Sequence, residues 1–243
     1  MDNSNALIDE MIAYYRARAS EYDQWFLRQG RYDRGERFRQ SWFREVAAVE
    51  RALLALGPHG DILELACGTG IWTRQLAAIA TSLTAVDASP EVITLNRQQV
   101  DSSHVEYIVA DLYKWRPAIT YDFVFFGFWL SHVPPERFEA FWELVAQALK
   151  PNGRAFFVDS LFNRETSAKD QSEINRSGRV ERRLNDGRTF EIVKIFYEPE
   201  QLEERLSSLG WQGYVRTTGK FFLYGCVSHE VEARDGFTGE LGA

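Results

Sequence analysis

The sequence predicts an α/β protein with a Rossmann-like, mostly parallel seven-stranded sheet and helices on both faces. From residue 60 onward, short apolar runs of strand length alternate with amphipathic runs of helix length, which is typical of βαβ units in a parallel sheet. The first of these strands runs into a glycine-rich turn before a helix, as in nucleotide-binding sheets. The 243 residues suffice for one such domain with a modest cap.

The segment before the sheet, residues 1–58, is predicted to form a helical cap. Residues 6–19 form its first helix, and an aromatic and arginine-rich stretch follows. Ser41 is expected to cap a second helix, which Gly57-Pro58 ends. The apolar side chains of that helix recur at helical spacing: Trp42, Val46, Val49, Leu53 and Leu56.

Strands and helices then alternate through a core of residues 59–159. The predicted strands cover residues 61–65, 82–86, 105–110, 123–126 and 154–159. The predicted helices cover residues 71–80, the segment after Ser89-Pro90-Glu91, and residues 134–149. Serine as a cap, proline in the first turn and an acid facing the helix dipole make Ser89-Pro90-Glu91 a strong helix start.

Residues 160–199 are predicted to form a lid and a β-hairpin. Residues 160–178 are polar and aperiodic, and we expect a loop that orders over a ligand. Asn185-Asp186-Gly187 favours a hairpin between two strand-like runs, residues 180–184 and 189–196. The last segment, residues 200–243, is expected to hold a helix at 200–209, strands at 214–217 and 220–227, and a frayed tail after His229.

Charge and apolar pattern limit the partners of the chain. The net charge is −7, so we expect no nucleic-acid partner, which would need a basic patch. Five arginines between Arg28 and Arg39 are diluted by Asp33 and Glu36. We interpret them first as a solvated face and second as a lid that meets an anionic group. The apolar run at residues 123–130 is far shorter than the about 20 residues of a membrane span, so no membrane partner is expected.

The first ten residues and the two cysteines are the features that bear on the cellular compartment. The first ten residues lack the basic and apolar regions of a signal peptide. Cys67 and Cys226 are too few for a disulfide framework or a metal site. We therefore predict a reduced, cytoplasmic protein without a bound metal, acting as a monomer or a homodimer.

The strongest functional motif is the turn Glu-Leu-Ala-Cys-Gly-Thr-Gly, which ends at Gly70. Ala66, Gly68 and Gly70 let the backbone pass close to a ligand, and N–H groups at the start of the next helix face it. The dinucleotide fingerprint requires a third glycine where Thr73 stands, which argues against NAD or FAD. Glu64 would repel a pyrophosphate but attract the ammonium of a methionine group.

Acidic residues also end the next two predicted strands. Asp87, followed by Ala88, lies where a carboxylate accepts hydrogen bonds from both hydroxyls of a ribose. A helix-capping role for Asp87 is the alternative, but Ser89 is better placed as the cap. Asp111 is placed to accept a hydrogen bond from an adenine amino group, with Leu112 covering the ring.

Together these motifs resemble the class I S-adenosylmethionine (SAM)-dependent methyltransferase family over roughly residues 61–159. Tyr121-Asp122-Phe-Val and Leu149-Lys-Pro-Asn-Gly153 also match, whereas Ala66 stands where many members have glycine. The resemblance implies SAM as the cofactor and S-adenosylhomocysteine (SAH) as the product. It also implies contacts of Glu64, Gly68 and Gly70 with the methionine end, of Asp87 with the ribose, and of Asp111 and Leu112 with the adenine.

The segment at residues 14–23 is similar to the lead-in of many small-molecule members of this family. In those proteins a tyrosine-bearing helix closes over the methionine group. Tyr15 and Tyr22 are seven residues apart and share one face of a continuous helix. Because aromatic faces attract cations, we expect both near the sulfonium; packing is the alternative role.

His132 is the candidate catalytic base. It follows the fourth strand, at the edge where such sheets bind their ligands, and an unperturbed pKa near about 6.5 suits proton transfer. A structural role on the turn before Pro134-Pro135 is an equal alternative. Phe128 and Trp129 are expected to line the pocket, or else to belong to the core.

The sequence therefore predicts methyl transfer from SAM to an oxygen or nitrogen atom of a small-molecule acceptor. A methyltransferase acting on tRNA or protein is one alternative, supported by the arginines at residues 28–39. The others are a non-catalytic SAM-binding protein and an NAD-dependent oxidoreductase, against which Thr73 argues. The sequence does not identify the acceptor.

Overall fold

A computed structural model describes residues 3–171 and 178–229. In these two stretches the helices are α1 (Asn3–Arg18), α2 (Tyr22–Phe26), α3 (Glu36–Ala55), α4 (Thr73–Ala77), α5 (Pro90–Val100), α6 (Phe138–Ala148) and α7 (Pro199–Ser208). The strands are β1 (Asp61–Leu65), β2 (Ser82–Asp87), β3 (Val105–Val109), β4 (Tyr121–Gly127), β5 (Leu149–Ser160), β6 (Arg179–Arg183), β7 (Thr189–Val193), β8 (Trp211–Thr217) and β9 (Phe222–His229).

Seven of these strands form one sheet in the order β3-β2-β1-β4-β5-β9-β8. The first five are parallel, and β9 runs antiparallel to both of its neighbours. This confirms the predicted Rossmann-like, mostly parallel seven-stranded sheet. The strand order reverses between β1 and β4, and ligands of such sheets bind beyond the carboxyl ends of the strands at this point.

The sheet separates two apolar layers. Phe125 and Phe126 are adjacent in β4 and therefore point to opposite faces. Phe126 lies 5.6 Å from Trp142 of α6, centroid to centroid, and Phe125 lies 5.3 Å from Trp72 on the other face. All four rings are at least 95% buried, so helices on both faces cover the sheet. The core thus holds the strand ends rigidly.

Three helices differ from the prediction, and one of them, α6, begins at Phe138 and not at Pro134. Ser41 does not cap a helix, because α3 begins five residues earlier at Glu36. Gly35, with a φ of +88°, precedes it, and its N–H donates to Asp33 Oδ1 at 2.8 Å. This turn starts the helix in a charged, solvent-facing segment where apolar spacing gives no indication of it. Helix α4 covers only Thr73–Ala77 of the predicted residues 71–80.

The predicted hairpin is present as β6 and β7, and it packs against the cap. Leu7, Met11 and Tyr14 of α1 form one apolar cluster with Ile192 and Val193 at the end of β7. Helix α1 and the hairpin together therefore cover the carboxyl edge of the sheet. Part of the predicted loop at residues 160–178 and the predicted frayed tail after His229 lie outside the described residues.

The arginines at residues 28–39 do not form a uniformly solvated face. Arg28 is fully buried, with its guanidinium 3.8 Å from the centre of the Trp42 ring and Nη1 donating to the Thr166 carbonyl at 3.0 Å. Arg31 pairs with Asp170 at 2.8 Å. The solvated-face interpretation is therefore wrong for Arg28, because its aromatic partner and its carbonyl acceptor come together only in the folded chain.

The structure also bears on the expected absence of a membrane-spanning helix and on the state of the two cysteines. Within the described stretches, no helix has the length and apolar character needed to cross a membrane. Cys67 and Cys226 are both buried free thiols.

Candidate active site

A cavity, here called the strand-end cavity, lies at the carboxyl ends of β1, β2 and β4, beneath helix α1. Most of the residues singled out in the sequence line it: Tyr15, Tyr22, Ala66, Gly68, Asp87, Ala88, Asp111, Leu112, Phe128 and His132. Glu64 and Gly70 do not. The cavity is therefore placed where the strand order predicts a ligand.

The glycine-rich turn after β1 approaches this cavity with its backbone. Ala66 and Gly68 have φ values of +53° and +57°, in the left-handed region that glycine tolerates without strain. The Gly68 N–H donates to Asp87 Oδ2 at 3.1 Å. A Cβ built on Gly68 would meet no atom within 4 Å, so the space beside this backbone is open to a ligand.

Asp87 connects the turn to the end of β2. Its second oxygen accepts a hydrogen bond from the Ser89 N–H at 2.9 Å. Burial raises the pKa of Asp87, although the backbone N–H groups oppose that shift. Ser89 caps α5 as predicted, because its Oγ accepts from the Val92 N–H at 3.2 Å. Asp87 is therefore free of the capping role and faces the cavity.

Glu64 and Gly70 support the turn from behind. Glu64 is 1% exposed, and its Oε2 has no hydrogen-bond partner in the described part of the chain. Burial, followed by the charge of Asp87, raises the pKa of Glu64 to about 8, against a hydrogen bond from Thr73. A Cβ on Gly70 would lie 2.8 Å from Asn96 Oδ1. Gly70 is thus required by internal packing and not by the cavity.

Asn96 is a supporting residue that the sequence analysis missed. It is fully buried in α5, where Nδ2 donates to the Gly68 carbonyl at 3.0 Å and to Thr73 Oγ1 at 2.8 Å. Its Oδ1 accepts from the Tyr107 hydroxyl at 2.9 Å. A polar residue four positions after Val92, on the apolar side of a helix, was the available sequence signal.

Asp111 and Leu112 lie at the far end of the cavity, after β3. Asp111 Oδ1 accepts from the Tyr113 N–H at 3.0 Å, and Oδ2 pairs with Lys114 at 3.1 Å. Leu112 is 4% exposed. Tyr113 lines the same cavity and was not identified from the sequence.

Helix α1 covers the strand-end cavity with residues that were also missed. Ile8, Met11 and Ile12 line it together with Tyr15, at the three- and four-residue spacing of one helix face. The Arg16 guanidinium pairs with Glu91 of α5 at 2.9 Å, which ties α1 to the sheet domain.

Tyr15 and His132 form a hydrogen-bonded pair. His132 Nδ1 lies 2.7 Å from the Val193 carbonyl, which only accepts, so Nδ1 carries the proton. Nε2 then accepts from the Tyr15 hydroxyl at 2.7 Å. Burial, followed by the charge of Lys194, holds the pKa of His132 well below its usual value, and burial raises the pKa of Tyr15. The imidazole is therefore neutral at pH 7.

A second cavity lies on the other side of this pair and is here called the cationic cavity. Tyr15, Tyr22, Phe128 and His132 line both cavities. Three basic side chains line only the cationic cavity: Arg18, Arg182 and Lys194. The two cavities are thus neighbours with one shared wall.

Among residues 3–171 and 178–229, no group of three or more histidine, cysteine, aspartate or glutamate side chains is arranged to hold a metal ion.

Comparison with known proteins agrees with the fold and the glycine-rich turn. A family model for a methyltransferase domain matches residues 62–153. The structure of a DhpI–SAH complex shares 39% sequence identity over 92% of this chain and 97% of that chain, with a TM-score of 0.76. The structure titled DhpI-SAM-HEP complex shares 42% identity over 91% and 97% of the two chains, with a TM-score of 0.75.

More distant similarity extends to nodulation protein S. The protein of that name from Sinorhizobium fredii is 31% identical over 115 residues, which cover 46% of this chain and 52% of the relative. The chain thus matches about half the length of this curated relative.

The sheet order and the glycine-rich turn define a nucleotide-binding α/β protein. The high identity to DhpI over nearly its full length makes the class more specific. The chain belongs to the class I SAM-dependent methyltransferase family, and it is a SAM-dependent methyltransferase with SAM as its cofactor. The NAD-dependent alternative is thereby set aside.

Proposed function

We propose that this enzyme transfers a methyl group from SAM to an oxygen or nitrogen atom of a small molecule that occupies the cationic cavity. The observation that carries the proposal is the wall of Tyr15, Tyr22, Phe128 and His132 shared by the two cavities. Methyl transfer requires donor and acceptor atoms to be held in line about 3 Å apart with water excluded. Two adjoining cavities with one shared wall meet the positioning part of that requirement.

The strand-end cavity fits SAM in the acidic, aromatic and small residues that line it. When bound, SAM supplies a methyl group on a positively charged sulfur that is a good leaving group. In our proposal Asp87 accepts from the ribose hydroxyls, and Asp111 and Leu112 contact the adenine. Tyr15 and Tyr22 lie near the sulfonium, where their aromatic faces attract positive charge.

The methionine end lies against the turn in this proposal. Ala66, Gly68 and Ala88 present backbone and small side chains to it, so a ligand can approach closely. The buried carboxyl of Glu64 lies behind the turn and not in the cavity, and its Oε2 is unpartnered in the described part of the chain. In this proposal it attracts the ammonium of the ligand across the turn, because a nearby cation favours the charged carboxylate. Gly70 acts indirectly, through its contact with Asn96.

His132 acts as the base through Tyr15 in this proposal. A hydroxyl or ammonium acceptor loses one proton on methylation. The Tyr15 hydroxyl faces the shared boundary and donates to the unprotonated Nε2 of His132. Tyr15 can therefore pass its own proton to Nε2 while it takes one from the acceptor.

The small-molecule class is favoured over a macromolecule by burial. Helix α1, strand β6 and the segment just after β7 line the cationic cavity, and Arg18 and Lys194 are less than 10% exposed. The arginines that supported a tRNA substrate are partly withdrawn from solvent, since Arg28 is buried and Arg31 is paired with Asp170.

Isotope-labelled SAM tests the proposal. The purified protein is first titrated with SAH by calorimetry, with NAD as the control, and then incubated with labelled SAM and metabolite extracts, tRNA or protein. We expect micromolar SAH binding, no NAD binding, and label in a small molecule. Label only in tRNA or protein would contradict the small-molecule proposal, and a folded protein that fails to bind SAH would contradict the proposed cofactor site.

A further inference from the structure

The cationic cavity is lined by more basic side chains than there are acidic side chains to neutralise them. Arg18 is 8% exposed and Lys194 is 6% exposed, and Arg182 is partly buried beside them. No aspartate or glutamate lines this cavity within the described ranges. Burying a charge without a counter-charge is unfavourable, so this arrangement calls for an anionic partner.

Neutral groups are the direct partners of the two arginines. Arg18 donates to the Tyr32 hydroxyl at 3.5 Å, and its guanidinium lies 4.9 Å from the centre of the Tyr22 ring. Arg182 donates to Ser167 Oγ at 3.3 Å. Among the described residues, neither arginine forms an ion pair.

Lys194 alone has a carboxylate partner. Its Nζ lies 3.3 Å from Asp159 Oδ1 and donates to Ser131 Oγ at 2.7 Å. Asp159 is fixed from behind, because it accepts from the N–H groups of Ser131 and Ser160 at 2.8 and 2.7 Å. One carboxylate thus faces three cations, which leaves an excess of two positive charges.

The protonation equilibria of Arg182 and Lys194 agree with this excess, whereas at Arg18 burial lowers the pKa but the neighbouring tyrosines raise it overall. Burial is the largest cause of a lowered pKa for both Arg182 and Lys194. The charges of Arg182 and Arg18 add to the lowering at Lys194, against the attraction of Asp159. An anion among the three side chains would oppose both effects.

We propose that the cationic cavity binds an oxyanion group of the methyl acceptor, of the phosphate or carboxylate class, between Arg18, Arg182 and Lys194. The inference rests on the proposed function, since it names the substrate class of the same site. Guanidinium groups suit it because they bind both oxyanions through paired N–H donors. The shared wall then presents the rest of the acceptor to Tyr15.

The hydroxyl groups around the cations suit the same ligand. Ser167 and Ser160 line the cavity, and each hydroxyl donates as readily to an anionic oxygen as to water. A neutral acceptor would leave the arginines desolvated and unpaired, so it would bind more weakly.

Two neighbouring arginines of β6 provide a matched pair of variants. Arg182 faces the cationic cavity, whereas Arg183 is exposed, so Arg183→Gln removes the same charge from the same strand without touching the cavity. The SAH-saturated protein is titrated with inorganic phosphate and with acetate. We expect both anions to bind, Arg182→Gln to weaken them about 10- to 100-fold, and Arg183→Gln to change them less than about twofold.

The comparison of anions identifies the class. Phosphate binding much more tightly than acetate assigns a phosphoryl-type acceptor, and the reverse assigns a carboxylate. Failure of both to bind the SAH complex, or equal weakening by both variants, would overturn the inference.

The affinity for SAH distinguishes failure of the oxyanion inference from failure of the proposed function. It should remain unchanged in both variants, because neither arginine lines the strand-end cavity, and it also reports that each variant is folded. Intact SAH binding with neutral acceptors methylated and no inhibition by phosphate would refute the oxyanion alone. Loss of SAH binding in the wild type would refute the cofactor site.

Discussion

The strand-end cavity and the cationic cavity are neighbours, but they are assembled in opposite ways. Most polar groups of the first follow three consecutive strands, from Ala66 to Asp111, and its turn contributes backbone atoms. The second draws its cations from α1, β6 and the segment just after β7, with Arg18 and Lys194 separated by 176 residues. A local motif specifies the first cavity, whereas only tertiary packing produces the second.

The two cavities also differ in how their charged side chains are neutralised. In the strand-end cavity, the Asp87 carboxylate is matched by backbone N–H groups. In the cationic cavity, buried side-chain charges outnumber their counter-charges. The first arrangement suits a ligand shared by a whole family, and the second suits an acceptor particular to this protein. The following variants test that division, from the largest expected effect to the smallest.

His132→Ala should act on turnover and not on the cofactor. We expect the rate of methyl transfer to fall roughly 10²–10⁴-fold, because the Tyr15 hydroxyl loses its proton acceptor. The rate is measured in single turnover with the acceptor identified by labelled SAM, and SAH affinity by calorimetry should stay nearly unchanged. His59→Ala is the control, because His59 is exposed and hydrogen-bonds to the Gly57 carbonyl of its own turn. An unchanged rate would leave His132 a structural role.

Asp87→Ala should act on the cofactor. Loss of a charged acceptor should weaken SAH binding by about 1.5–3 kcal/mol, measured by calorimetry. Asp87→Asn keeps an oxygen for the Gly68 N–H and should weaken binding less. If both variants bound SAH as the wild type does, the ribose role of Asp87 would be wrong.

Glu64→Gln should change how stability depends on pH. The ordinary carboxyl pKa of 4.5 applies to the unfolded chain, whereas the folded pKa is about 8. Between these values the folded state binds more protons, so unfolding free energy falls as pH rises and the loss is complete above pH 8. Because each pH unit between the two pKa values contributes about 1.4 kcal/mol, we expect a fall of about 2–3 kcal/mol attributable to Glu64 over pH 5.5–8.

Urea unfolding of the ligand-free protein measures that slope. The Gln variant should show a shallower fall than the wild type across the same range. Parallel curves would show that Glu64 ionises normally and that its burial has no electrostatic cost.

The pH–rate profile should show the smallest effect. Because burial keeps the pKa of His132 well below 6.5, the imidazole is already neutral and the rate should not fall as pH is lowered from 7.5 to 6. An acceptor that does not titrate in this range is required. A twofold loss centred near pH 6.5 would show an exposed, ordinary histidine.

The fold was predictable because its elements are marked locally. Ser89-Pro90-Glu91 started a helix as predicted, and apolar runs located the strands of the sheet. Ten of the twelve expected site residues meet at one cavity, while their roles stay predictions. Arg28 was misread because its burial depends on Trp42 and on the Thr166 carbonyl, 138 residues away. Lys194 could not be singled out from the sequence, because its position in the cavity depends on contacts such as the one with Asp159, which form only in the folded chain.

Helix α1 contributes residues to both cavities. It lies over the strand-end cavity through Met11 and over the cationic cavity through Arg18, and Tyr15 touches both. A displacement of this one helix would therefore change the lining of both cavities at once. The exposed Arg16–Glu91 pair is one of the contacts that such a displacement would break.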